Sequence, residues 1–177
     1  MELVPYTDAD RWLTEALETD ATVMAELGGA WPVDAIPAIH ARRMDSIAAG
    51  TWWFTIVLAP GEAPIGMIGI FGSDIDSRPV SEAGWSILPA FHGRGYASAA
   101  LGMLLERARE DGRWGAIHAL PGVSNGPSNG LCRKFGFTLV GELEVDYAGR
   151  PLRCNHWVLE PSTTRSAPSN RRPASHA

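Results

Sequence analysis

Only two cysteines, Cys132 and Cys154, occur in the 177 residues. That is too few for a disulfide framework and suits a reducing compartment. A basic, apolar leader is missing as well: the chain starts MELVPYTDADRW, with acids where a signal peptide carries positive charge. No apolar run approaches the roughly 20 residues that a membrane-spanning helix needs, and WWFTIVLA is the longest. Positive charge is scarce too. The net charge is −5, and because Arg165, Arg171 and Arg172 sit in an acid-free end segment, residues 1–160 carry −8. Such a body argues against general nucleic-acid binding. It suits an amine-bearing partner, and also plain solubility. The expectation is a soluble cytoplasmic protein.

Hydrophobic residues make up 45% of the chain and charged residues 20%, the mix of an ordinary globular domain with a real core. Residues 1–160 read as that domain. Residues 161–177, rich in Pro, Ser and Arg with little to bury, are expected to be disordered. ELVPY reads as a first strand, and Thr7 with Asp10 as a capping-box variant opening a helix through Leu13 and Leu17. Asp20 caps a second helical turn ended by Gly28-Gly29. Asp34 starts a third helix, with Ile36, Ile39, Met44 and Ile47 at helical spacing and Gly50 as its stop. TWWFTIVLA (51–59) and PIGMIGIFG (64–72) are strands across a PGEA break; SDIDSRP is a polar loop before a strand at 81–88. Helix 95–110, strand 114–120, a short helix opened by Pro127, and two closing strands around Gly149 complete the order. The strand–helix–strand unit at 81–120 requires a parallel crossover within an otherwise largely antiparallel sheet.

The junction between that strand and helix, WSILPAFHGRGYASAAL, carries the chemistry. His92-Gly93-Arg94-Gly95-Tyr96-Ala97 leaves backbone N–H groups bare at the positive end of a helix, which is how a chain holds a phosphate. A Rossmann fingerprint fits poorly, because it belongs to the first βα unit and needs an acid after the next strand, where this chain has HALPG. No Gly-Lys-Ser/Thr follows, so it is not a P-loop. A Gly-rich turn that merely packs a helix on a sheet is the remaining alternative.

These residues resemble motif A of the GNAT acetyltransferases, a fourth strand followed by Gln/Arg-x-x-Gly-x-Gly/Ala and a long helix. NGPSNGLCRKFGF (125–137) resembles that family's second motif. LGGAWPVDA and the element order are similar to the ribosomal-protein N-terminal acetyltransferase branch. The resemblance implies an α/β (α+β) single domain: a mixed, largely antiparallel sheet flanked by helices, with a central parallel strand pair. It implies acetyl-CoA or another acyl-CoA as cosubstrate, with the pyrophosphate on the N–H groups of Gly93, Arg94, Gly95, Tyr96, Ala97 and Ser98. Arg94 would add charge, and the pantetheine arm would lie along Trp85 to Ile87, with Asn125 opposite and Ser128 as a further contact. His92 stands where the family has Gln or Arg, so its side-chain contact is the point of departure.

Acyl transfer to an amine needs a base, because an alkyl ammonium has a pKa of about 10, and oxyanion stabilisation, here a backbone N–H near Ile87. The thiolate leaves with or without a proton. Strand alternation puts Glu82, Gly84 and Ser86 on one face and Ala83, Trp85 and Ile87 on the other. Glu82 matches an acid often seen in the family's fourth strand, which makes it the base through a water. His118 is the rival base, and His156 and Tyr147 are substrate-side candidates. Cys132 stands where many relatives have a Tyr acid; it is a candidate acid or simply a packed side chain, with Ser128 as an alternative donor. No metal enters this reading. The expected activity is direct transfer of an acetyl group to a primary amine of a small molecule or a protein N-terminus, in a monomer or a homodimer. The alternatives are a CoA-binding sensor without catalysis and, less well supported, a dinucleotide oxidoreductase. Trp12, Trp31, Trp52 and Trp53 fall in segments that border the acceptor cleft.

Overall fold

Helix caps and strand alternation set most of the elements, and the computed structural model describes residues 1–147 and 149–160. The tail read as disordered lies outside them. β1 (Glu2–Pro5) leads to a 3-10 turn in which Asp10 Oδ2 accepts from the Thr7 N–H and hydroxyl at 2.7 and 2.9 Å. The cap thus closes a short turn, and α1 (Arg11–Glu18) begins after it, burying Leu13 and Leu17. Asp20 caps α2 (Ala21–Met24), its carboxylate accepting from the N–H groups of Thr22 and Val23. A 3-10 turn at Val33–Ala35 takes up Asp34, so α3 (Ile36–Ala48) starts two residues later than the cap pattern suggests.

β2 (Trp52–Val57), β3 (Gly66–Ile75) and β4 (Arg78–Ile87) form an antiparallel meander. The polar stretch SDIDSRP is no loop. Both strands run through it and only Asp76 and Ser77 turn, with φ of 50° and 61°, the paired positive values of a two-residue hairpin whose twist matches its strands. Then come α4 (Tyr96–Asp111), β5 (Ile117–Ala119), α5 (Gly126–Lys134), β6 (Thr138–Asp146) and β7 (Pro151–Leu159). The sheet order is β1-β2-β3-β4-β5-β7-β6, and only β4 with β5 is parallel.

One face of the sheet carries the main core. Ala100, Leu101, Leu104 and Ala108 of α4 pack on Ile56, Ile68, Ile70, Ala83 and Ile87. Each fully buried Leu or Ile contributes about 1.5–3 kcal/mol, so this face anchors the central strands. Leu13 and Leu17 of α1 pack on Met67 across the other face. The two layers hold β4 from both sides.

Candidate active site

β4 and β5 pair only at Ser81↔Ile117 and Glu82↔His118, yet β4 runs on to Ile87. The strands splay, and a cavity of about 670 Å³ opens there, well within the range of ligand sites. Trp85, Ser86 and Ile87 line it from β4; Ser128 and Leu131 line it from α5, with Asn125, the residue that caps that helix. Gly93, Gly95, Tyr96, Ala97 and Ser98 close one end.

That end is shaped for an anion. Gly93 and Gly95 have φ of +71° and +81°, and a Cβ at either would meet nothing within 4 Å. Open space thus stands before a backbone that only glycine adopts easily. The first helical bond of α4 runs from the Ala99 N–H to the Gly95 carbonyl at 3.0 Å. The N–H groups of Tyr96, Ala97 and Ser98 precede it, the usual unsatisfied donors of a helix start.

Two side chains depart from the expected cradle. His92 turns back, donating from Nε2 to the Ile87 carbonyl at 2.7 Å, so it braces the strand end and takes up an acceptor beside the expected arm. Arg94 lies over the Phe91 ring at 5.8 Å and is not part of the cavity wall. Positive charge comes instead from α5: the Lys134 ammonium donates to the Ser98 hydroxyl at 2.6 Å. Lys134 belongs to the second motif's ending, but nothing in its spacing announces that it reaches α4.

In α5 the Asn125 side chain accepts from the Ser128 N–H at 3.0 Å. The buried Asn129 donates to the Gly122 and Asn125 carbonyls and accepts from Asn155 and Trp157 at 2.8 Å each. It ties the helix to β7 and leaves the Asn125 amide beside the cavity. Cys132 is corrected by the structure. It is fully buried in the α4 core with no exposed surface, and desolvation pushes its thiol up to about 12. Packing onto α4 faces it away from the cavity, so it is no acid for the reaction. Cys132→Ala should leave kcat within about twofold and cost about 1 kcal/mol in a urea melt, the scale of a small core truncation.

Glu82 does line the cavity, on the face opposite Ala83. Burial raises its carboxyl above the ordinary carboxylate value, opposed by the neighbouring Ser73 hydroxyl. His118 is placed elsewhere. It lines a shallow recess with Pro79, Val80, Ser81 and Trp114, and its Nδ1 shares a 2.8 Å hydrogen bond with His156 Nε2. Desolvation lowers both imidazoles; Glu160 opposes this at His118, while at His156 the His118 ring lowers further and Asp76 opposes. Neither histidine lines the cavity: His118 is the β5 register partner of Glu82, and the adjacent β7 brings His156 onto it.

Tyr147 forms part of the wall near Glu82, and burial, with the Glu18 charge next in weight, pushes its phenol up to about 12. It is held by a turn docked elsewhere in the chain. Arg150 donates to the Gly28, Gly29 and Ala30 carbonyls and stacks over Trp31 at 3.7 Å. Opposite, Trp53 and Phe71 stack at 4.9 Å and 5° over glycines: a Cβ at Gly69 would sit 2.8 Å from the Trp53 ring, and one at Gly84 would sit 2.9 Å from Phe71. Of the four tryptophans expected near the cleft, Trp53 alone lines it. Trp52 points to the other face against Trp114, Trp31 supports Arg150, and Trp12 is 45% exposed. Leu17, Val23 and Arg43 complete this part of the cavity wall.

Residues 1–138 match the family model of the acetyltransferase (GNAT) domain. The chain belongs to the GNAT acetyltransferase family. Membership makes acetyl-CoA the acetyl donor and an amine the acceptor. Ribosomal-protein-alanine N-acetyltransferase from Brucella melitensis superposes with a TM-score of 0.73 at 21% identity, over 90% of this chain and 99% of that one. Spermidine N-acetyltransferase from Vibrio cholerae, solved with CoA and spermine, gives 0.72 at 17%, over 91% and 95%. The putative acetyltransferase yncA from Salmonella typhimurium, solved with acetyl-CoA, gives 0.70 at 20%, over 96% and 98%. At such identities the likeness concerns the GNAT fold. No curated protein sequence matches significantly. Among the described residues no helix is long and apolar enough to cross a membrane.

Proposed function

We propose that the protein is an acetyl-CoA-dependent N-acetyltransferase in which Glu82 is the general base. The observation that carries this is a desolvated carboxylate and a glycine-bared helix start lining one cavity. The residues present fit the donor. N–H groups of Gly93 to Ser98 would hold its pyrophosphate, with Lys134 supplying the cation, and the splayed strand at Trp85–Ile87 with the Asn125 amide would flank its arm. Proteins of the same fold solved with CoA and with acetyl-CoA support such a donor. When bound, the donor supplies a thioester carbonyl open to attack.

The chain's own residues then do three things. Glu82, made more basic by burial, takes the ammonium proton, directly or through one water. The Trp53–Phe71 stack and Met67 keep bulk water off the nucleophile. A β4 amide near Ile87 faces the developing oxyanion. With Cys132 in the core and Tyr147 near 12, protonating the thiolate from the protein is either geometrically closed or uphill. The protein thus offers no proton donor on these two residues, and a departing thiolate would take its proton from water, with Ser128 as the one hydroxyl on α5 that lines the cavity. The acceptor is a primary amine on a small molecule or at a protein N-terminus. Calorimetric titration with acetyl-CoA, followed by a thiol-release assay across an amine panel including free peptide N-termini, tests the reading. Binding without turnover would make the protein a CoA sensor; no binding would remove the donor site altogether.

A further inference from the structure

The turn between β6 and β7 meets the segment after α2 through the Arg150 side chain, a contact that the acetyl-transfer chemistry leaves unexplained. Thr22 to Leu27 all line the cavity, yet of residues 21–31 only Met24 is buried. So little apolar burial leaves a segment at the low-stability end of a fold. Polar contacts from two other parts of the chain hold it instead. On one side the Ser124 hydroxyl donates to the Glu26 carboxylate, and a Cβ at Gly122 would sit 3.1 Å from the Glu26 carbonyl. On the other side stands Arg150.

Chain and side chain are matched at this contact. The guanidinium donates to three successive carbonyls, those of Gly28 at 3.1 Å, Gly29, and Ala30 at 3.4 Å, and it lies 3.7 Å over the Trp31 ring. Charge-assisted bonds and a cation over an indole are among the stronger polar contacts. Gly28 and Gly29 turn the chain there with φ of +82° and +93°, a conformation that side chains resist. The arginine stem fills the space beside the first of them: a Cβ at Gly28 would lie 3.1 Å from Arg150 Cδ and 3.2 Å from its Cβ. At its own end Arg150 exchanges two backbone hydrogen bonds with Tyr147, at 2.8 and 3.2 Å, and Tyr147 lines the cavity. Arg150 itself does not line it, and none of its hydrogen-bond partners is among the donor contacts assigned above.

We propose that Arg150 is a positioning residue for the acceptor: it draws the segment after α2 and the Tyr147 turn together, and so fixes the width of the cavity between them. This rests on the N-acetyltransferase reading above. Arg150→Ala should raise the KM of phenethylamine and of an Ala-Ala-Phe peptide by about tenfold to a hundredfold, the scale of a displaced binding wall. Because the loss is one of binding and not of chemistry, kcat should stay within about threefold and the acetyl-CoA Kd within about twofold. Hydrogen exchange of the amides at 25–31 should quicken about tenfold or more, while the melting temperature falls by only a few degrees.

A covalent tie separates position from charge. The 3.2 Å between a Cβ at Gly28 and that of Arg150 lies close to the roughly 3.5–4.5 Å of a disulfide, and the two native thiols are fully buried. Gly28→Cys with Arg150→Cys should therefore show near-native KM for both amines when oxidised and the raised KM when reduced, with closure of the bond read by mass. A KM unchanged in Arg150→Ala, or raised equally in the oxidised and reduced double variant, overturns Arg150 as a positioning residue. So does an acetyl-CoA Kd that weakens as much as the KM rises. Where the bond does not close, Arg150→Ala alone decides. A native protein that fails to bind acetyl-CoA, or that acetylates no amine, overturns the enzyme reading instead, and the exchange rates at 25–31 then still test the contact.

Discussion

Gly95→Glu is expected to lower acetyl-CoA affinity at least about a hundredfold while lowering the melting temperature by only a few degrees. The asymmetry comes from where Gly95 sits. Its φ of +81° makes any side chain strained, a cost of about 1–2 kcal/mol for an L-residue in that region. A Cβ there meets no atom of the protein, so packing is not disturbed. The space it enters is the one a pyrophosphate needs, and a carboxylate adds like-charge repulsion to lost backbone approach. Gly112 ends the same helix with φ of +75° and equally open surroundings. Gly112→Glu therefore carries the same strain and the same charge without the effect on affinity. Isothermal titration of both variants decides the matter, and equal affinities would remove the cradle from the donor site.

Glu82→Gln should lower kcat by about a hundredfold to a thousandfold, in the range for loss of a general base, and should raise thermal stability at pH 7. The two signs share one cause. Burial raises the folded-state pKa of Glu82 above 4.5, so the folded chain holds this proton to higher pH than the unfolded chain does. Stability then falls as pH rises from the unfolded value through the raised one, and above the raised value the full cost of a desolvated carboxylate is present. Glutamine relieves it. The native protein should also lose kcat/KM on its acidic side as pH falls through that raised pKa, and the variant should lack that limb. A variant that keeps both the rate and the limb would remove Glu82 as the base.

The legible part of this protein was the part decided by neighbouring residues. Positive φ at Gly93 and Gly95 is a property of the backbone at those residues, and so is an unbonded helix start, which is why this glycine-bared junction could be read from HGRGYAS. Period-two alternation set Glu82 against Ala83 before any fold was known. Asp20 capped its helix through N–H groups two and three residues on, a reach that a linear chain displays openly. The hairpin at Asp76-Ser77 is local too, but non-glycine residues occupy its positive-φ positions and hid it behind a polar composition.

What only the tertiary structure decided was which faces meet. Cys132 occupies the motif position of an acid, yet packing against α4 buries it; Lys134, two residues on, reaches Ser98 across the same helix contact. Trp52 and Trp53 are adjacent, and alternation separates them, but only the layers on each side make one core and the other cavity wall. Arg43 met Glu18 and Thr14 through α1 packing on α3. Local chemistry names the groups a chain can offer. Desolvation and approach across long sequence separations determine which of them face the substrate, since the apolar surface buried by the helices fixes their orientation on the sheet.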